Sequence, residues 1–499
     1  MSYCIFQTES GSLSLLFLER SLLIGFWFAG ASFLSFLKKT YFRWILFKSR
    51  NERKINYSML KYLSPILTIC ILMSINACKN MPEEETPAEW QPNYDETKVP
   101  NYDLPDLLTA ASGDKIANTA QWEQQRRPEI IELFKEHVYG HIPAAGKDTL
   151  WWETTKEDAN ALGGTAIRKE IQCYFTEDRE GPSMQLMVYQ PKTAVEPVPA
   201  FLALNFFGNH SIHPDTSITM SDGWMMASEK IGIVDHKATE ASRGARSSRW
   251  PIERIIERGY ALAVIYCGDL DPDYDDGFQN GIQSLFYKEG QTAPAANEWG
   301  TIGAWSWGLS RGLDVLQQTP GIDGEKVSVF GHSRLGKTSL WAGALDERFA
   351  LVISNNSGCG GAALSRRAFG EAVTRINTNF PHWFNANFKK YNDKEGDLPV
   401  DQHQLLALIA PRPLYVASAE EDQWADPRGE FLSTVNTNPV YQLYGLDGLP
   451  TKEMPKVDEP VAATVGYHVR SGGHDVKPYD WEQYMDFADR HLRTRPIAD

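Results

Sequence analysis

Cysteine is scarce in this chain, which has six in 499 residues. Cys4, Cys70 and Cys78 lie in the N-terminal region, leaving Cys173, Cys267 and Cys359 in the body. At most one disulfide can form there, and the absence of any CxxC pair speaks against a zinc site. Cations are also in short supply: 49 Lys and Arg face 64 Asp and Glu, for a formal net charge of -15. Nucleic acid is therefore excluded as a partner, and a neutral or sparsely charged substrate suits the balance better. No internal repeat at solenoid or propeller periods is visible. Asp271-Pro-Asp273-Tyr-Asp275-Asp276-Gly277 looks like the start of a calcium loop. Ile282 stands where the bidentate Glu belongs, however, and the glycine comes one place late. His210 and His213 make no better metal pair, so neither metal nor cofactor is expected.

What is present begins with two apolar runs near the N-terminus. Leu22 to Phe36 is followed by Lys38, Lys39, Arg43, Lys48 and Arg50. The second run starts at Met59-Leu-Lys61, continues to Met73 and ends in Ser74-Ile-Asn-Ala-Cys78. A short cationic start, an apolar core and small residues before a cysteine resemble a bacterial lipoprotein signal. On that reading residues 1–58 are an upstream extension from a start assigned too early, and 59–77 are the signal. Cys78 becomes the lipidated first residue, and 78–99, with Pro82, Glu83, Glu84, Glu85 and Pro87, is a flexible tether. The expected location is the bacterial cell envelope, with the lipid as the sole membrane attachment and the body a monomer.

Residues 100–499 read as one domain. Short apolar runs at Val198–Phe206, Tyr260–Tyr266, Val327–Phe330, Phe349–Ile353, Leu414–Ala417 and Ala463–Val469 have the look of buried parallel strands. Helical patterns fall between and after them, at Thr301–Leu316, Ser333–Leu345, Gln402–Ile409 and Trp481–His491. A helix over Glu123–Val138 and a strand pair, Thr165–Tyr174 and Met184–Tyr189, precede them. This alternation predicts an α/β fold with a doubly wound, mostly parallel sheet.

The sharpest signal is Val327-Ser-Val-Phe-Gly331-His332-Ser333-Arg334-Leu335-Gly336-Lys337. An apolar strand runs into Gly331 and a helical pattern starts after Ser333. In α/β-hydrolases the nucleophile occupies such a strand-to-helix turn, where crowding demands small neighbours. The spacing is G-x-S-x-x-G, with Leu335 where G-x-S-x-G has its second glycine. Ser333 as a plain helix N-cap is the competing reading. Arg334 and Lys337 oppose it, because cations in a first helical turn work against the helix dipole unless they face an anionic transition state or polar ligand.

In this fold the general base and its acid follow the serine in the order Ser, acid, His. His474, in Ser471-Gly-Gly-His474-Asp475 between the last strand and last helix, is the candidate base. His382, His403 and His468 read as packing histidines. Asp422 follows the strand Leu414–Ala417 and is the candidate acid, with Glu420, Glu421 and Asp426 as solvated loop charges.

These residues resemble the glucuronoyl esterases, carbohydrate esterase family 15, of bacterial type. The resemblance rests on Gly331–Lys337, Ser357-Gly-Cys-Gly-Gly361, Phe369-Gly-Glu371, Ser418–Glu430 and Gly472-Gly-His474. Leu204–His210, Gly268–Gly281 and Trp305–Arg311 carry it too, so that it runs from about residue 100 to the C-terminus. It implies hydrolysis of 4-O-methyl-glucuronoyl esters that link xylan to lignin alcohols, with glucuronoxylan or a lignin-carbohydrate ester as substrate. It also implies Ser333 as nucleophile, His474 as base and Arg334 as oxyanion stabiliser. Lys337 and Glu371 would bond the uronate hydroxyls, and Trp424 would pack on its ring. Fungal members carry the acid as Glu directly before Ser-Gly-x-Gly-Gly, where this chain has Asn356. That departure matches bacterial members and points again to Asp422. Two other readings remain: an acetyl-xylan or other carbohydrate esterase, and a non-catalytic surface glycan-binding lipoprotein.

Overall fold

The computed structural model describes residues 90–142 and 150–493. The expectations for residues 1–58 and 59–77 and for Cys78 lie outside the described residues.

The strands, in chain order, are β1 (Trp151–Asn160), β2 (Ala166–Tyr174), β3 (Ser183–Pro191), β4 (Val198–Asn205), β5 (Ile233–Val234), β6 (Lys237–Ala238), β7 (Ala261–Tyr266), β8 (Ile322–His332), β9 (Leu351–Asn355), β10 (Leu414–Ala419), β11 (Val461–Ala462) and β12 (Val465–Arg470). Apart from the small β5–β6 hairpin they form one sheet of order β1-β2-β3-β7-β4-β8-β9-β10-β12-β11. The six strands from β7 to β12 in that order all pair parallel. An antiparallel block, β1-β2-β3, joins at β7, and β11 closes the other edge antiparallel to β12. This is the α/β-hydrolase arrangement, and the sheet is parallel where the site lies.

Alternation along the strands builds two cores. Ala200, Leu202 and Leu204 of β4 point to one face, where helices α2 (Thr301–Leu316) and α3 (Arg334–Leu345) pack. Phe201 and Ala203 point to the other, where α1 (Ile252–Glu257) and α5 (Pro478–Leu492) pack; α4 (Pro427–Val435) follows β10. Every residue of β4 and β7 is buried, so both strands read as unbroken apolar runs.

Three elements differ from expectation. The pattern did not predict β1, because this edge strand (Trp-Trp-Glu-Thr-Thr-Lys-Glu-Asp-Ala-Asn) is exposed along nearly its whole length. Hydrophobic periodicity reports burial, and a strand paired on one edge without burial leaves no trace of it. The helix expected over Glu123–Val138 belongs to a longer helical run, in which Arg127–Phe134 is flanked by π-helical turns at Trp122–Arg126 and Lys135–Tyr139. The tether expected to reach residue 99 does not extend that far. From Trp90 onward the chain packs on the domain: Asn93 O accepts from Gly370 N–H at 2.9 Å, and Glu96 pairs with Arg367 at 2.6 Å.

Candidate active site

The turn between β8 and α3 places Ser333 at φ 59° and ψ -131°, a conformation that L residues rarely adopt. The turn is tight enough that a Cβ on Gly331 would stand 1.8 Å from Leu335 O. The second glycine is needed at 336, where a Cβ would meet Ser357 Cβ at 3.0 Å and Gly331 O at 3.1 Å. Leu335 instead points into the core and is buried. The G-x-S-x-x-G spacing thus follows from which side of α3 faces the Ser354–Ser357 turn. Ser333 N–H is fixed to Asn355 O at 2.9 Å. Arg334 and Leu335 open the helix, so their N–H groups have no intrahelical carbonyl to meet.

Ser333, His474 and Asp422 line one cleft of about 340 Å³, together with Arg334, Lys337, Glu371, Trp383 and Trp424. His474 Nδ1 donates to Asp422 Oδ2 at 2.6 Å, and Asn356 Nδ2 donates to the same oxygen at 2.7 Å. With Nδ1 engaged, Nε2 is the ring nitrogen left for proton transfer. Asp422 is buried while the His474 side chain is 40% exposed, so the pair sits at the boundary between sheet and cleft.

The histidine loop is held from beneath. Arg470, at the end of β12, donates to Ser471 O (2.9 Å), Gly473 O (3.1 Å) and Asp475 O (2.5 Å), and its Nε pairs with Asp480 at 2.9 Å. Glu430 of α4 performs a similar task under the Asn356 turn. Its Oε1 accepts from Ser357 N–H (2.7 Å) and Gly358 N–H (3.0 Å), and its Oε2 from Ser418 Oγ (2.6 Å). Asp426, expected as a solvated charge, is buried instead: it caps α4 and pairs with Arg367 at 2.7 Å. Glu420 and Glu421 are exposed, as expected.

Arg334 lies across the cleft beneath two aromatic faces, its guanidinium carbon 4.8 Å from the Phe206 ring centre and 5.3 Å from that of Trp383. Its Nε pairs with Asp273 Oδ2 at 2.6 Å. Asp273 Oδ1 accepts from Trp383 Nε1 (2.7 Å) and meets His382 Nε2 (3.1 Å). Burial acts to raise the Asp273 carboxyl, but the Arg334 charge and the His382 and Trp383 hydrogen bonds outweigh it and hold the group at about 2. The histidine expected to be mere packing thus belongs to the anchor of Arg334.

Lys337 is buried at the cleft. Its Nζ donates to Ser357 O (2.6 Å), Cys359 O (2.6 Å) and Glu371 Oε2 (3.3 Å), which occupies all three ammonium protons. Lys337 braces the floor of the cleft and fixes Glu371. The Glu371 backbone is fixed in turn by N–H to Trp424 O at 2.9 Å.

Cys173, Cys267 and Cys359 are free and buried. Among the described residues no group of three or more His, Cys, Asp or Glu is placed to hold a metal ion. Asp273, His382, Glu430 and Arg470 were missed by sequence reasoning. The one available signal was for Asp273, whose loop stood out as an acidic cluster with no calcium-loop ending.

The family profile described as Glucuronyl esterase, fungi, matches residues 281–445, a span that includes Ser333, Asn356, Glu371 and Asp422. A curated relative, carbohydrate esterase MZ0003 from an unknown prokaryotic organism, is 49% identical over 426 residues, covering 85% of this chain and 98% of its own. A solved structure described as a promiscuous CE15 esterase from a marine bacterial metagenome is 51% identical, with a TM-score of 0.76 over 80% of this chain and 100% of its own. The glucuronoyl esterase of Solibacter usitatus is 45% identical with the same TM-score and coverage.

Proposed function

The chain belongs to the glucuronoyl esterases of carbohydrate esterase family 15, and from that membership we propose that it cleaves 4-O-methyl-glucuronoyl esters joining xylan to lignin alcohols. The observation that carries this reading is the shared cleft. A serine on a strained turn and an aspartate-held histidine line one cleft with Glu371, which Lys337 holds, and Trp424, a lining that suits a sugar acid.

His474 Nε2 takes the Ser333 proton as Oγ attacks the C6 carbonyl of the uronate ester. Asp422 stabilises the imidazolium that forms and keeps the ring in the tautomer with the proton on Nδ1. The oxyanion develops where the Arg334 guanidinium and the unbonded N–H groups at the start of α3 converge, so charge is met without reorganisation. His474 then protonates the departing alcohol. Water, deprotonated by the same histidine, releases the glucuronate from Ser333. On the acyl side Glu371, held by Lys337, accepts from ring hydroxyls and Trp424 packs against the ring.

Hydrolysis of benzyl glucuronate beside 4-nitrophenyl acetate, with residues 79–499 and a Ser333→Ala control, tests the reading. Serine-dependent release from the glucuronate supports it. Activity on acetate alone would replace the substrate with that of a general carbohydrate esterase. The acetate arm is needed because a relative at 51% identity is described as promiscuous. Silence on both esters would favour a glycan-binding role without turnover.

The same proposal places the enzyme in the bacterial envelope, secreted by the signal at 59–77, anchored through lipid on Cys78 and acting as a monomer. Incorporation of radiolabelled palmitate that disappears in Cys78→Ala supports the anchor; unlabelled wild-type protein sinks it.

A further inference from the structure

The chain enters the domain along the sugar side of the cleft. The Trp90 ring stands edge-on to Trp424, 6.0 Å between centroids, and the Arg375 guanidinium lies 5.5 Å over the Trp90 ring. Three residues on, Asn93 O is bonded to the N–H of Gly370, the residue before Glu371. The Tyr94 ring meets the edge of Phe369 at 6.1 Å yet remains 50% exposed. Glu96 ties the segment to Arg367, which also grips Asp426, the cap of α4. Trp90–Glu96 is therefore a strap fixed at both of the loops that supply Glu371 and Trp424. It borders an open groove of about 570 Å³ lined by Gln91, Asn93, Tyr94 and Lys98.

Tyr94 is half exposed on a strap that is itself fixed to the domain, and its ring lines the groove together with the side-chain amides of Gln91 and Asn93. Aromatic rings flanked by side-chain amides suit pyranose sugars, whose C–H faces pack on rings while their hydroxyls bond to amides. A peptide or polyanion has no such match here, given the acidic chain.

We propose that Trp90 and Tyr94 form a subsite for the neutral sugar residues to which the uronate is attached, so that the enzyme reads the polysaccharide backbone as well as the ester. This rests on the esterase reading above. Binding energy from sugars remote from the ester would appear in kcat/KM for a chain-borne substrate and not for an isolated uronate.

The test compares benzyl glucuronate with the same ester carried on a xylo-oligosaccharide, in residues 79–499 and in its Tyr94→Ala and Trp90→Ala variants. The ratio of kcat/KM between oligosaccharide and free uronate ester is expected to fall about tenfold in each variant, the scale of one aromatic contact. An unchanged ratio, whether both esters slow equally or neither does, overturns the subsite. Calorimetric titration with the unesterified xylo-oligosaccharide separates the two readings. Binding lost in Tyr94→Ala, with neither ester hydrolysed by wild type, keeps the subsite and removes the esterase. Hydrolysis of both esters at an unaltered ratio keeps the esterase and removes the subsite.

Discussion

Asn356 donates its side-chain amide to Asp422 Oδ2 at 2.7 Å, on the same oxygen that His474 Nδ1 reaches at 2.6 Å. The residue that stands where the fungal acid would be is therefore still part of the relay, as a donor to the acid in place of the acid itself. Asp422→Asn should lower kcat by about 10⁴-fold, because an amide favours the wrong histidine tautomer. Asn356→Ala should cost about tenfold, the loss of one charge-assisted hydrogen bond. Asn356→Glu introduced into Asp422→Asn is expected to restore part of the lost rate. Steady-state kinetics on a glucuronate ester checks all three, and a fully active Asp422→Asn enzyme would remove the assignment.

Asp273 holds Arg334 by its Nε at 2.6 Å. Asp273→Asn keeps the bulk and loses the charge that orients the guanidinium. The expected result is a fall in kcat of about 10- to 100-fold with KM little altered, since the oxyanion exists only beyond the ground state. A rise in KM at constant kcat would instead make Arg334 a substrate-binding group.

Arg470 touches three carbonyls around His474 and no substrate. Arg470→Lys retains the charge facing Asp480 but cannot span the fork. It should lower kcat by about tenfold, leave KM unchanged and weaken the protection of the Gly473–Asp475 amides against hydrogen exchange. Unaltered exchange with reduced kcat would contradict a positioning role.

The two glycines of the turn should differ sharply on substitution. Gly331→Ala drives a Cβ to 1.8 Å from backbone, whereas Gly336→Ala meets its nearest atoms at 3.0 Å. The first is expected to cost more than about 4 kcal/mol and the second about 1–3 kcal/mol. Thermal unfolding of both proteins measures the difference, and equal stability would mean the turn relaxes freely.

Asp271 is buried and Asp269 partly buried, and desolvation pushes both carboxyls up to about 7 from the usual 3.8. The folded protein keeps these protons where the unfolded chain has lost them. Their contribution is fully present below pH 3.8 and is lost as pH rises to about 7, by about 1.4 kcal/mol per pH unit for each proton. Asp269→Asn and Asp271→Asn should each flatten the decline of Tm between pH 4 and 7. An unchanged slope in both would show that the groups ionise normally in the fold.

The central strands, α2, the β8–Ser333–α3 turn and the final helix were legible in the residues. Each is written within about five to sixteen consecutive positions, as an unbroken apolar run or a period near 3.6. The strained serine was legible too, because glycine at 331 is a local steric demand. Asp422 and His474 could be nominated by chain order alone, yet their bond joins residues 52 apart, and the Asn356 contact spans 66. The strap, which meets Arg367 from 271 residues away, and the exposed strand β1 had no local pattern to give them away. Nor had the acceptors that occupy Lys337 or the carboxylate that orients Arg334. A charged side chain looks the same in sequence whether it faces water, a carbonyl or a ligand. What it meets depends on which distant segments the sheet order brings alongside, and only the folded chain supplies that.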